Sequence, residues 1–257
     1  MKSNRIFATT LMLLLVGGVM AGKAQAQGQG QQHNDRQQPG KAKGHDKQQA
    51  KQQQQQQQAV ARQEQQKSIN EQRQRDAQYG ATLDRQVRAG QQHSAQLERQ
   101  NRRAQLAAQQ QYLANLRQQQ QRLQAERDYA RDPAFSARPA YRYRRGGVAY
   151  QTTQSGADVL RQAVSYGYQQ GYLAGQADRR DGSQSSYQTT YAYQNANYGY
   201  DARYVPQSDY NYYFRQGLQR GYPDGYGSIQ QYGTVSNGSA SILSSILTSI
   251  LGLTAIK

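Results

Sequence analysis

The chain has 257 residues, room for one or two domains, yet it holds no Cys, no Trp and three Phe, at a mean hydropathy of −1.06. No disulfide framework and no lipid-modified cysteine are open to it, and so little apolar material cannot offset a backbone ordering cost of roughly 1–2 kcal/mol per residue along the whole length. The formal net charge is +16, unevenly spread: residues 147–257 hold seven basic and six acidic side chains, while residues 27–146 carry +12, a basic arm joined to a near-neutral module.

Residues 1–26 read as an export signal. Lys2 and Arg5 form a positive start, Ile6 to Ala21 is an apolar run around Leu11 to Val16, and Ala24-Gln25-Ala26 sets small residues at a cleavage site. The run is short for a membrane span of ~20 residues. Cleavage near Ala26 would leave the mature chain exported across the inner membrane, periplasmic or extracellular. Residues 27–58, rich in Gln and ending in the tract Gln52–Gln58, offer no face to bury and are expected to be disordered. His33 and His45 lie here without a third ligand, so no metal site is expected.

Residues 59–131 are dominated by Gln, Arg, Ala, Glu and Leu and predict one long basic helix, closed by Pro133. Leu106, Leu113, Leu116 and Leu123 fit heptad spacing and make a short seam for weak coiled-coil self-association. Ile69, Leu83, Leu97 and Ala104 share another register, interrupted by Asp76 and Gly90. Residues 132–156 read as a linker. Within it, Tyr141, Arg142, Tyr143, Arg144 and Arg145 interleave rings with guanidinium groups, a mixture that contacts anionic polymers.

Residues 157–227 contain a repeated element. Gly167, Gly171 and Gly175 recur every fourth residue, as do Gly217, Gly221 and Gly225. As helices, each copy has a small-residue groove beside a stripe of large side chains: Leu160, Val164, Tyr168 and Tyr172 in the first, Tyr210, Phe214, Leu218 and Tyr222 in the second. Ser155 with Asp158 suggests a capping box, Ser208 or Asp209 a second cap, and Pro223 a helix end. A mid-helix Gly costs about 0.5–1 kcal/mol relative to Ala. Close helix packing, with the rings of one helix in the glycine groove of the other, is the return expected. Tyr187, Thr189, Tyr191 and Tyr193 alternate as in a short strand. After a linker at 228–240, residues 241–256 repeat Ile-Leu pairs every four residues and predict an apolar C-terminal helix. It is too short to span a bilayer and is expected to dock on the repeat pair, another subunit or a membrane surface.

The order of an export signal, a Gln/Gly/His-rich spacer, GYxxGYxxGxxDRRDG (Gly167 to Gly182), GYDxRYV (Gly199 to Val205) and YFRxGxxxGYxDGYG (Tyr213 to Gly227) resembles a group of uncharacterised exported bacterial proteins. The resemblance covers roughly residues 155–227. It implies shared structure and brings no activity; the long Gln-rich helix and the apolar tail depart from it.

No nucleophile–base pair, phosphate loop or metal spacing is evident. The four Glu residues lie in the Gln-rich helix, and Asp178 and Asp224 read as helix-end or turn residues. The chain is therefore expected to be mostly α: a long Gln-rich helix, a small module of short Gly-grooved helices, and an amphipathic C-terminal helix, with extensive disorder. The expected role is non-enzymatic, structural or interacting, with no cofactor, metal or small-molecule substrate. Self-association is one expected partnership; salt-sensitive binding of nucleic acid, polysaccharide or anionic lipid through the basic arm is the alternative.

Overall fold

The computed structural model describes residues 42–124, 129–132, 137–184 and 186–256. The export signal and residues 27–41 lie outside them. The chain divides into residues 1–52 and 53–257. Of the first unit, residues 42–52 are helical; the second holds every other element. The fold is mostly α, as the composition dictates.

Helix α1 is Ala42–Arg99 and starts well inside the tract expected to be disordered. Gln, Ala and Lys are good helix formers and nothing breaks the run. Residues 48–67 are exposed on every face. Beyond them one stripe is buried: Ile69, Gln72, Asp76, Tyr79, Leu83, Val87, Gly90 and Leu97. This is the interrupted register. Its interruptions are accommodated: Asp76 accepts from the Gln72 amide at 2.9 Å and the Tyr129 hydroxyl at 2.7 Å, and Gly90 leaves room for Leu113 and the ring of Tyr191.

The expected single helix over 59–131 is two helices. At the end of α1, Asn101 turns left-handed (φ 55°) and Arg102 N–H bonds back to Leu97 O at 2.9 Å. Helix α2, Arg103–Gln124, then returns antiparallel: the Gln109 amide donates to Gly90 O (2.7 Å) and the Gln119 amide to the Tyr79 hydroxyl (2.7 Å). Leu113 and Leu116 are buried within the chain, and Leu106 and Leu123 are half-buried. The leucine seam thus serves a coiled-coil-like internal hairpin and leaves little apolar surface for a second copy.

Both expected linkers contain strands. Residues 132–156 form the hairpin β1 (Tyr141–Arg145) and β2 (Val148–Thr152), joined by Gly146-Gly147, both at positive φ, the two-residue turn that matches strand twist. Helix α3, Gln154–Arg180, follows at once. Residues 228–240 contain β3 (Gly233–Ser236) and the start of β4 (Ser239–Ile242), joined by Asn237-Gly238 in the same turn chemistry. The C-terminal segment is shorter as a helix than expected, α6 (Ser244–Leu251), and ends as strand β5 (Thr254–Ala255), which pairs with β1 opposite β2. Leu247, Ile250, Leu251 and Leu253 pack on the core.

Between α3 and α5 (Gln207–Gly227) the chain crosses back over Tyr187–Thr189, a 3-10 turn, and α4, Tyr191–Asn195. The alternating tyrosines are therefore not a strand: Ser186 and Thr190 cap successive short helices. The other caps differ too. Thr153 caps α3 through Gly156 N–H, while Asp158 instead pairs with Arg161 on the surface. Pro206 starts α5 without a side-chain bond.

The core is built on tyrosine. Tyr79, Tyr112, Tyr143, Tyr191, Tyr200, Tyr210 and Tyr213 join Leu83, Leu113, Leu116, Leu160, Val164, Phe214 and Leu218 in one cluster. Each ring buries an apolar body and a hydroxyl with a partner. Tyr79 donates to Asn197 O (3.2 Å), Tyr200 to Val205 O (3.2 Å), Tyr210 to Tyr198 O (2.5 Å), Tyr213 to Arg144 O (2.6 Å) and Tyr112 to the Asn195 amide oxygen (2.7 Å). Counting only aliphatic residues thus understates the core that this sequence can form.

Candidate functional site

The centre of the molecule is the pair α3 and α5. Gly167, Gly171 and Gly175 face the carbonyls of Phe214, Leu218 and Tyr222; Gly217, Gly221 and Gly225 face those of Val164, Tyr168 and Tyr172. Contacts climb both helices together, so the two run parallel. A Cβ at Gly167 would lie 2.8 Å from the Phe214 carbonyl carbon, and one at Gly217 would lie 2.8 Å from that of Val164. Both are closer than real Cβ contacts. The second glycine hydrogen points at each oxygen instead, a Cα–H···O contact of about 0.5–1 kcal/mol.

The groove therefore holds backbone. The rings expected in it lie elsewhere, because no side chain fits between two backbones at this separation. Tyr168, Tyr172, Phe214, Leu218 and Tyr222 are buried, and it is their main-chain atoms that lie nearest the Cβ positions of the opposite glycines. Gly225 completes the ladder, and the four-residue spacing already visible in the sequence marks it. Pro223 does not end α5, which continues to Gly227. Gly221 and Gly225 sit on the Tyr168 and Tyr172 carbonyls on either side of it and hold the last turns in register.

Three buried aspartates tie outer elements to this pair. Asp178 accepts the Tyr222 hydroxyl at 2.6 Å and pairs with Arg102, so the end of α3 holds the α1–α2 turn. Three residues on, Asp181 accepts Ala104 and Gln105 N–H, both at 2.9 Å, and caps α2 from another element. Asp224 accepts the Tyr168 hydroxyl at 2.7 Å with Gln231 N–H (3.1 Å) and Tyr232 N–H (2.9 Å), which fixes the approach to β3. Asp209 accepts the Tyr143 hydroxyl and pairs with Arg145 at 2.6 Å, which fixes the sheet. Burial pushes the Asp178 carboxyl above the usual carboxylate range, against the opposing pull of Tyr222 and Arg102. The Tyr143, Tyr168 and Tyr222 phenols are pushed well up, first by burial and then by their aspartate partners. The sequence reading missed these clasps: Asp224 keeps the expected turn role through Gln231 and Tyr232 N–H, and both Asp178 and Asp224 add a tertiary one through tyrosine hydroxyls. Only the recurrence of Tyr and Asp around the glycines hinted at it.

The arginine-tyrosine run splits by strand alternation. Tyr143 is buried and Arg145 is turned to Asp209, with its guanidinium 5.4 Å from the Tyr150 ring centre. Tyr141 is half-buried beneath Arg161 at 5.7 Å. Arg142 and Arg144 point outward and are exposed. Their cross-strand neighbours Gln151 and Ala149 carry no charge.

Among the described residues no helix is long and apolar enough to cross a membrane, and no group of three or more His, Asp or Glu could hold a metal ion. No family model, curated protein or solved structure matches the chain in comparisons with known proteins.

Proposed function

We propose that the chain is an exported, non-enzymatic structural or interaction protein, in which a stiff module bears a basic, Gln-rich helical arm that engages a partner. The observation that carries this reading is the division of labour among the charges. Asp178, Asp209 and Asp224 are each taken up by tyrosine hydroxyls and by an arginine or backbone N–H groups, in clasps that hold elements together. Residues 48–67, with Lys51, Arg62 and Lys67 against Glu64, are left exposed on every face of α1. A helix exposed on every face has low local stability. Hydrogen exchange of the full chain tests the reading, alone and mixed with envelope material from an exporting cell. The expected result is fast exchange over residues 48–67 that slows on mixing, while α3 and α5 are slow throughout. Unchanged exchange along the arm would overturn it.

A second reading, binding of an anionic polymer or surface, is favoured by Arg142 and Arg144, which are exposed and pair across the strand with the uncharged Gln151 and Ala149. Such binding loses affinity steeply with salt. Titration of the full chain with duplex DNA and with anionic vesicles, at low and raised salt, tests it. Absence of any salt-sensitive binding at low ionic strength would exclude it.

A further inference from the structure

A groove of 580 Å³ opens along the outer side of α5, lined by Tyr187, Gln216, Gln219, Arg220, Pro223 and Tyr232, with the Tyr222 ring at its floor. Its size suits a small ligand. Its chemistry is specific. Among the described residues no acidic side chain lines it. Arg220 spends one nitrogen on Gln216, at 2.8 Å to the carbonyl and 3.1 Å to the amide oxygen, and among the described residues no carboxylate pairs with it. Pro223 has no N–H, so the carbonyl of Gln219, four residues earlier on the same helix face, lacks its ordinary i+4 helical donor. The groove thus presents tyrosine side chains, a guanidinium with one nitrogen spent on Gln216, two side-chain amides and a backbone carbonyl without its ordinary i+4 donor.

A proline-rich peptide could lie on the rings, but it brings few N–H groups for the Gln219 carbonyl. A single nucleic-acid strand could stack there, but it calls for a line of cations, and this groove has one. A sugar ring has an apolar C–H face for the tyrosines. Its hydroxyls both donate and accept, which suits the Gln219 carbonyl and the two amides. A carboxylate on the sugar would meet Arg220 in the two-point geometry that guanidinium favours. We propose that this groove binds an acidic oligosaccharide, a short run of uronic-acid-type sugars. The site is separate from the basic arm and adds a defined ligand class to the interaction role above.

Isothermal titration of the full chain with oligogalacturonate tests this, with maltohexaose as the neutral comparison and salt high enough to suppress loose electrostatic binding. The acidic sugar is expected to bind and the neutral one to bind at least about tenfold more weakly, the loss of one charged hydrogen-bonded contact. Arg220→Gln should remove that difference, and Tyr232→Ala should weaken both sugars. Pro223→Ala is the sharper variant. It restores the N–H that pairs with Gln219 O, so it should raise thermal stability while weakening the acidic sugar about fivefold, one neutral hydrogen bond. Circular dichroism confirms that each variant is folded. No binding of oligogalacturonate, equal affinity for the two sugars, affinity unchanged by Arg220→Gln and Pro223→Ala, or a single-stranded DNA oligomer that outcompetes the sugar would each overturn the proposal.

Discussion

Replacing Gly171 by Ala places a methyl group against the backbone of α5. The new Cβ would lie 2.9 Å from both the carbonyl carbon and the Cα of Leu218, where carbon atoms settle at about 3.5–4.0 Å. These are main-chain atoms of a helix, so no rotamer change relieves the contact, and the two helices must part. They cannot open at one rung alone. Gly167 and Gly175 lie one turn away on either side, about 6 Å along the axis, and a gap of 0.5–1 Å already forfeits a quarter to a half of each contact there. Overpacking of this kind costs about 1–3 kcal/mol, and the upper end applies to rigid neighbours. Ala is the better helix former by about 1 kcal/mol, which leaves a net loss of about 2 kcal/mol. For a chain of this size the melting temperature should fall by about 4–8 °C. Gly80→Ala is the matched control, because nothing lies within 4 Å of its added Cβ; it should be neutral or gain up to about 1 kcal/mol. Thermal and urea unfolding by circular dichroism measure both. If Gly171→Ala behaves like Gly80→Ala, the backbone ladder is not what holds α3 to α5.

Asp178→Ala leaves Arg102 and the Tyr222 hydroxyl without their shared partner inside the protein, and should lower unfolding free energy in urea by about 3 kcal/mol. Asp181→Ala removes only a helix cap and should lower it by about 1 kcal/mol, with faster hydrogen exchange at Ala104 and Gln105. Leu116→Ala, at a fully buried site of the helical hairpin, should lose about 2–5 kcal/mol without a change in sedimentation, because the seam is internal. The buried phenols set an alkaline limit. Burial raises Tyr200 and Tyr213 to about 12 from 10.0, and Tyr79, Tyr112 and Tyr210 also rise, so the folded state keeps protons that the unfolded state gives up. The contribution of Tyr200 and Tyr213 to stability is fully present below pH 10 and is lost as pH rises through 12, and that of Tyr79, Tyr112 and Tyr210 is lost at higher pH still. Phenolate absorbance of this group should therefore appear together with loss of helical circular dichroism, and its appearance in a still-folded chain would contradict the tyrosine core.

Composition and spacing were sufficient for the helical character of most of α1, α2, α3 and α5, but not for their bounds or for α4. Gln, Ala, Arg and Leu runs make helix whatever they pack against, and glycines four residues apart on Gly167 to Gly175 and Gly217 to Gly225 line one face of any helix they occupy. The tertiary structure alone decided what those faces meet. The ladder closes backbone on backbone because α3 and α5 run parallel at matched height, and the intervening crossover, not any local signal, sets that height. The break at Asn101 escaped notice because a single left-handed residue needs no Gly or Pro. The strands at Tyr141–Arg145 and Gly233–Ser236 were hidden in polar segments, although Gly146-Gly147 and Asn237-Gly238 carried the turn signal. Asp178, Asp209 and Asp224 could not be recognised as clasps, because each finds its tyrosine 44 to 66 residues away in sequence. A carboxylate's partner depends on which chains the fold brings together, and that is settled only when the whole core closes.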